Sequence, residues 1–417
     1  MNPIYKEYIE FLSNNNINLD IKEGYYWLDK LIIKAFDDKC QIHKIARIYI
    51  DDELNVSFKK YKEEKFNIIS WLELIELNKD KLLQLENDSL NNILKYKKIY
   101  NGYSPIILTS GGKDSSVVNY LVRKALNNNI KAIFNNTSLD CADTYKYIKN
   151  LDNTYIMNPK EGFYQWQKRY EYVPTRFNRA CCGIFKEYEL VKQLSHKENY
   201  LFFMGMRNQE SSTRSNYGYE WHNDAWSNNW QGILPIREWS ELDVWMYILM
   251  KDIPINEKYK KGYSRVGCAV ACPYYTKSTW VLDKHFYSTM YNRWQEIVKQ
   301  DFIKNNKWII MNCTLKEYMT AWSGGTVRNE PTEEVIKEFA DYNNLDIEVA
   351  KKYFNKSCKN CNKRVKSKEV LAMNMKFLGR NTTTFMCKKH LKEFLNIDDV
   401  QWNKYVEDFK CNGCSLF

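Results

Sequence analysis

The stretch Ser104-Pro-Ile-Ile-Leu-Thr-Ser-Gly-Gly-Lys-Asp-Ser115 decides how this chain is read. Its first six residues are a short apolar run of the kind that forms a buried parallel strand. After it, Val117-Val-Asn-Tyr-Leu-Val-Arg-Lys-Ala-Leu126 places apolar residues at helical period. Between the two, Gly111 and Gly112 let backbone N–H groups approach a phosphate closely, and the start of a helix adds its partial positive charge. Ser110 and Ser115 offer hydroxyls to phosphate oxygens, Lys113 neutralises charge, and Asp114 has the chemistry to help hold Mg²⁺. The spacing is not that of a Walker loop. A second Ser-Gly-Gly, Ser323 to Gly325, ends a helical pattern instead of following a strand, and reads as a helix C-cap.

Working outward, Lys131-Ala-Ile-Phe134 reads as a second strand and a helix begins near Asp143. Tyr200-Leu-Phe-Phe-Met204 and Gly232-Ile-Leu-Pro-Ile236 read as later strands. That alternation predicts an α/β fold with an open parallel sheet. Upstream, Ser89 is placed as the N-cap of a helix running to Tyr100. Residues 1–85 mix helical stretches with one hairpin, Ala46 to Phe58, turning at Asp51-Asp52-Glu53, and read as an accessory segment. The expected plan is that segment, a nucleotide-binding domain over 86–280, a helical extension over 281–355 and a cysteine-bearing module over 356–417.

Composition narrows the class. A hydrophobic fraction of 44% with 13 Trp, 31 Tyr and 19 Phe supports sizeable cores and excludes disorder over most of the length. The net charge of +11 admits anionic partners, although the basic residues are spread along the chain. Met1 to Leu19 has no apolar h-region and no run reaches a membrane span, so a cytoplasmic protein with no membrane partner is expected. Its twelve cysteines should then be reduced, and their clustering points to metal or thiol chemistry. Cys358-Lys-Asn-Cys361 and Cys387-Lys-Lys-His390 have the spacing of a tetrahedral Zn²⁺ site, with Cys411 or Cys414 as alternatives to His390. The helix Lys366 to Leu378 is expected between these two knuckles.

Four further segments follow the glycine loop in order. They are Asn136-Thr-Ser-Leu-Asp140 with Asp143-Thr-Tyr145, Cys181-Cys-Gly-Ile-Phe-Lys186, Gly205-Met-Arg-Asn-Gln-Glu-Ser-Ser-Thr-Arg214, and Leu234-Pro-Ile-Arg-Glu-Trp-Ser-Glu-Leu-Asp-Val-Trp245. From about Pro105 to Pro273 the chain therefore resembles the PP-loop superfamily, in the branch containing the phosphoadenosine-phosphosulfate (PAPS) reductases. The resemblance implies an adenine nucleotide alpha-hydrolase-like sheet that binds ATP or PAPS with Mg²⁺. It assigns nucleotide binding to Ser110, Gly111, Gly112, Lys113, Asp114, Ser115, Lys186, Arg207, Glu210 and Arg214. Catalysis falls to Lys113, Asp114, Cys181, Cys182 and Arg207. Arg207 and Arg214 are planar cations suited to bidentate phosphate or sulfate contacts, Lys186 adds a point charge, and Glu210 would orient an arginine.

Cys181, Cys182, Cys268 and Cys272 resemble the [4Fe–4S] ligands of the iron–sulfur sulfonucleotide reductases. Three residues separate Cys268 from Cys272 where the family usually has two, so a zinc site or reduced thiols remain alternatives. The tail Phe409-Lys-Cys-Asn-Gly-Cys-Ser-Leu-Phe417 has neither the glutamate nor the histidine of the family's C-terminal cysteine motif. Two reactions are expected to compete. One is ATP cleavage to AMP and pyrophosphate that activates an acceptor for sulfur transfer, with a nucleic-acid acceptor or a sulfur-donor protein as partner. The other is thiol-dependent reduction of PAPS or APS to sulfite. The intact loop favours ATP, since pyrophosphate must be gripped as it leaves. A nucleotide-binding regulator without turnover is the non-enzymatic alternative.

Overall fold

The computed structural model describes every residue except 62–65, 177, 323–327, 329, 380, 381, 412, 413, 415 and 417, so the glycine pair at 324–325 lies outside the described residues. The chain divides into two compact units. The first comprises 1–160, 183–269 and 276–288, and the second 161–182, 270–275 and 289–417.

The first unit holds two sheets. β1 (Asn2–Pro3), β2 (Tyr26–Asp29), β3 (Ile32–Phe36), β4 (Ile42–Ile50) and β5 (Val56–Lys60) pair in that order, all antiparallel. The hairpin expected at 46–58 is therefore the outer edge of a larger sheet. Its turn is pinned by Asp51 Oδ1, which accepts N–H groups of Glu53 and Asn55 at 2.8 and 2.9 Å. One face, with Ile33, Ala35, Ala46 and Ile48, packs on the helix Lys6–Asn14.

The second sheet is built from β6 (Ser104–Thr109), β7 (Lys131–Asn135), β8 (Thr154–Met157), β9 (Tyr200–Phe203), β10 (Glu220–Trp221) and β11 (Trp230–Ile233). Its order is β10-β11-β9-β6-β7-β8, parallel throughout except for the edge strand β10. The fold class is thus α/β with an open parallel sheet, as the sequence predicts. β11 ends at Ile233, short of the expected Ile236, because Pro235 has no N–H to continue the ladder. Buried residues line both faces: Ile107, Leu201 and Phe203 on one, Ile106, Ile133 and Phe202 on the other. Such two-sided burial is why these strands read as continuous apolar runs.

From β6 the chain moves one way to β7 and β8 and the other way to β9 and β11. The direction reverses between β6 and β9, and ligands of open α/β sheets sit at the carboxyl ends of strands flanking such a switch. One local reading is corrected. The helix before β6 spans Lys79–Ile99, so Ser89 is not its N-cap; it is buried mid-helix, donating to Pro235 O at 3.0 Å and accepting from Trp239 Nε1 at 3.1 Å.

The second unit is helical around an aromatic core, with Trp294 packed edge-on against Trp322 and Phe302 against Trp308. After Ser357 it carries the helices Lys368–Leu378, Lys388–Leu395 and Asp399–Cys411. The first of these starts two residues later than Lys366 because Ser367 caps it, accepting from the Val370 N–H.

Candidate functional site

The loop Ser110–Ser115 leaves β6 at the switch point and opens the helix Lys113–Ala125. Gly111 has φ +71°, a left-handed conformation that glycine takes without strain. Gly112 caps the helix, and a Cβ there would lie 3.2 Å from Ser110 Oγ and 3.3 Å from the Tyr259 hydroxyl. The serines fold the loop on itself: Ser115 Oγ donates to Gly112 O at 2.9 Å and accepts from the Ser110 N–H at 3.3 Å. Ser116 Oγ also reaches Gly112 O at 2.9 Å and lies 2.7 Å from the Tyr147 hydroxyl.

Lys113 is buried. Its N–H donates to the Tyr259 hydroxyl at 2.9 Å, and its ammonium lies 3.2 Å from Asp114 and 3.3 Å from Glu241. Burial works against the charge, but Tyr259, Asp114 and Glu241 outweigh it and hold the ammonium above its ordinary range. The group stays a cation at any physiological pH. Asp114 in turn accepts from Arg207 Nε at 2.5 Å, and Arg207 Nη1 reaches Trp239 O at 3.4 Å. Arg207 therefore lies beneath the loop, 4% exposed, as a clamp on Asp114.

Glu210 accepts the Arg207 N–H at 2.9 Å and pairs with the guanidinium of Arg214, whose side chain is more than a third exposed. Of the two arginines, only Arg214 thus presents itself to solvent. The segment between β9 and these arginines passes so close to the loop that a Cβ on Gly205 would sit 2.6 Å from the Asp114 carbonyl carbon.

A second polar group lies after β7. Asp140 is buried and accepts from Thr137 Oγ1 at 2.7 Å. Burial raises its pKa against the opposing pull of Thr137, Lys186 and Lys258. Lys186 itself sits in a π-turn, Gly183–Glu187, a helix irregularity frequent at functional sites. Tyr259, Glu241, Asp140 and Lys258 are absent from the sequence-derived site. Glu241 and Asp140 stand in the quoted segments; Tyr259 and Lys258 carry no local signal, since their meaning arises from a contact with Lys113 and a field at Asp140 across more than a hundred residues.

The cysteines divide between the units. Cys268 belongs to the first, where its sulfur lies 3.8 Å from Thr137 Oγ1. Cys181, Cys182 and Cys272 belong to the second and are half-buried. Val270, between Cys268 and Cys272, has φ +28°, a strained value for a β-branched residue. No disulfide occurs among the described residues.

Cys358, Cys361, Cys387 and His390 do converge, with their ligand atoms all within 4.8 Å of one another. Cys361 and Cys387 sulfurs are 3.9 Å apart, and His390 Nδ1 is 3.2 Å from Cys358 and 3.3 Å from Cys387. Zinc bonds of roughly 2.3 Å to sulfur and 2.0 Å to nitrogen require S···S near 3.8 Å and S···N near 3.5 Å at a tetrahedral centre. The donor set fits a metal ion. Burial opposes the Cys358 thiolate, but N–H groups of Cys387, Asn360 and Cys361, together with His390, bring its pKa down to about 6. Local structure makes the site: Asn362 takes the left-handed conformation that closes the first knuckle, and Cys387 caps the helix that carries His390. Buried Asn374 fixes the second knuckle by bonding both backbone groups of Met386. Cys411 and Cys414 stay outside this group.

No helix among the described residues is long and apolar enough to cross a membrane. Residues 104–273 match the family model of the phosphoadenosine phosphosulfate reductase domain. A protein of Methanocaldococcus jannaschii with no assigned function is 31% identical over 57% of this chain and 58% of its own length. The adenosine 5'-phosphosulfate reductase of Shouchella clausii is 25% identical over 44% of this chain and 78% of its own. The chain spans 58% and 56% of the first two relatives. Among solved structures, the PAPS reductase from Candida auris in its phosphate complex is similar at a TM-score of 0.36 and 18% identity, covering 46% of this chain and 93% of that one. The family match thus runs from β6, whose loop lies at the sheet's switch point, to Pro273, and over that stretch the chain is similar to the phosphoadenosine phosphosulfate reductase domain.

Proposed function

We propose that this protein binds ATP with Mg²⁺ through Ser110–Ser115 and cleaves it to AMP and pyrophosphate, activating an acceptor for sulfur transfer. The observation that carries the reading is the complete phosphate loop between β6 and its helix, with Lys113 held as a cation at the helix N-terminus. An acceptor oxygen attacks the α-phosphorus, and pyrophosphate leaves into the field of the helix start, Lys113 and Arg214. Arg207 positions Asp114 and so shapes the loop. The terminal sulfur of a donor persulfide then displaces AMP from the adenylated carbon. A second thiol cleaves the resulting S–S bond, releasing the thiolated acceptor and leaving a disulfide between the two donor sulfurs. Zinc is the ion that the Cys358–His390 group would take, as a staple of the C-terminal module. The reading also places the protein in the reducing cytoplasm, where its cysteines remain thiols or metal ligands.

The test is ATP binding by calorimetry together with pyrophosphate release. Ser115→Ala alone, and with Lys113→Ala, should cut affinity at least about tenfold while the fold persists. Unchanged affinity in a folded double variant would refute it. The similarity to adenosine 5'-phosphosulfate reductases favours a second reading, reduction of APS or PAPS by a dithiol. Sulfite released from either nucleotide, without pyrophosphate release from ATP, would establish that reaction instead.

A further inference from the structure

The outward face of the β4–β5 hairpin carries a second basic site that the reaction above does not use. Arg47 and Tyr49 alternate on β4 opposite Lys59 and Ser57 on β5, while Ala46 and Ile48 turn into the core. Tyr61 follows Lys59 by two residues and so continues the same row, its N–H bonded to Ile45 O. Arg47, Tyr49, Lys59, Lys60 and Tyr61 line a cavity of about 370 Å³. That is toward the lower end of the roughly 300–1,000 Å³ of small-ligand sites. The Arg47 guanidinium lies 5.4 Å from the Tyr49 ring centre, and Lys44 lies 5.9 Å from that of Tyr61. Among the described residues, none of Lys44, Arg47, Lys59 and Lys60 has a carboxylate partner within ion-pair distance.

The energetics of this face need explaining. Arg47 and Lys59 are direct cross-strand partners, and like charges in that position are destabilising. β5 is the edge of its sheet, and lysine on an edge strand discourages unwanted pairing. Edge protection accounts for Lys59 and Lys60 alone. It needs neither Arg47 on the interior strand β4 nor two tyrosines beside it, and a glutamate at 47 would satisfy it while attracting Lys59. An anionic polymer with flat, stackable units accounts for Arg47, Lys59 and both tyrosines: cations meet phosphates, and a tyrosine face meets a base.

We propose that the outward β4–β5 face binds single-stranded nucleic acid, with Arg47 and Lys59 on phosphates and Tyr49 or Tyr61 stacked on an unpaired base. This site stands whatever reaction the phosphate loop serves. If the activation proposed above holds, it also names the acceptor class.

The test uses the full-length protein and fluorescence anisotropy with labelled oligouridylate, oligothymidylate and a DNA duplex. ATP affinity is measured in parallel, so that failure of this site and failure of the nucleotide site are read separately. Arg47→Glu is expected to weaken single-strand binding at least about tenfold. It should also flatten the slope of log affinity against log salt by roughly 0.7 for each phosphate no longer neutralised. The same change should leave ATP binding intact and the melting temperature equal or higher, because it replaces a repulsive pair with an attractive one. Tyr49→Ala with Tyr61→Ala should weaken single strands by about tenfold and the duplex little. Comparison of uridylate with thymidylate separates RNA from DNA as the source. No binding at low salt, or wild-type affinity in Arg47→Glu, overturns the proposal. Equal losses for duplex and single strand in the tyrosine variant overturn the stacking assignment and leave a general polyanion surface.

Discussion

Arg207 Nε donates to Asp114 Oδ1 at 2.5 Å, and both side chains are largely withdrawn from solvent, at 4% and 15% exposure. Removing one member of a buried pair strands the other, which typically costs about 3–5 kcal/mol. Arg207→Ala should therefore lower stability by that order and abolish nucleotide binding. Arg214 pairs with Glu210 at the surface, where such pairs are worth about 0–1 kcal/mol, so Arg214→Ala should weaken binding with little loss of stability. Urea unfolding of the two variants checks this. Equal stability losses would show that Arg207 is not the buried clamp described.

Gly205→Ala tests the packing of β9 against the loop. The added methyl would meet Asp114 and Ser115 backbone atoms at 2.6–2.9 Å, and backbone cannot step aside as a flexible side chain can. A cost of about 1–3 kcal/mol is expected, with ATP affinity falling because the loop must shift. A thermal melt beside an ATP titration reads both. Wild-type values in each would contradict the close approach.

One zinc per chain is expected on Cys358, Cys361, Cys387 and His390, measured by elemental analysis. Cys387→Ser or chelation should expose the region after Ser357 to protease, because structural zinc supplies roughly 10 kcal/mol or more of folding free energy in small modules. A metal-free protein resistant to cleavage there would remove zinc from the account.

For Cys181, Cys182, Cys268 and Cys272, anaerobic purification with iron and sulfide analysis and a visible spectrum decides between cluster and thiols. Bound iron with a broad visible absorption marks the cluster. Iron-free protein with four alkylatable thiols marks the reduced state.

Glu86 gives a pH signature. Burial alone would raise its pKa, but ion pairs with Lys124 and Lys251 bring it below the ordinary 4.5. A folded pKa below the unfolded one means that the carboxylate stabilises above about 4.5, and that this contribution is lost as the pH falls through the lowered value. The stability gap between wild type and Glu86→Gln should be widest near neutrality and shrink on acidification. A gap that grows toward acid would reverse the assignment.

The strand-loop-helix core is legible in the sequence because everything it needs is contiguous: an apolar run, two glycines and a helical period within twenty-odd residues. The knuckles of the metal group are legible for the same reason. β2 and β3 are not. They are four and five residues long, and the turn between them carries Lys30 at φ +57° where glycine or asparagine would announce a hairpin. β8 is a four-residue edge strand with too little pattern to register. Ser89 has the residue type of a cap but the environment of a helix interior, and only the approach of Pro235 and Trp239 distinguishes them. Tyr259 offers nothing to infer from, because a tyrosine in a short helix gains its role from Lys113, far away in sequence.

Tyr5, Trp27, Phe36 and Ile69 occupy the same buried cluster as Val117, Val118 and Leu121 of the phosphate-loop helix and Tyr259 of its cap. Among the described residues, one buried cluster thus joins the first eighty-five residues to the helix of the nucleotide loop within this unit. Slow-exchanging amides of β2 and of the Lys113–Ala125 helix should then share one opening free energy, so that denaturant unzips both at a single midpoint. Cutting the chain between the two parts would leave Trp27 and Trp71 of that cluster without their buried partners.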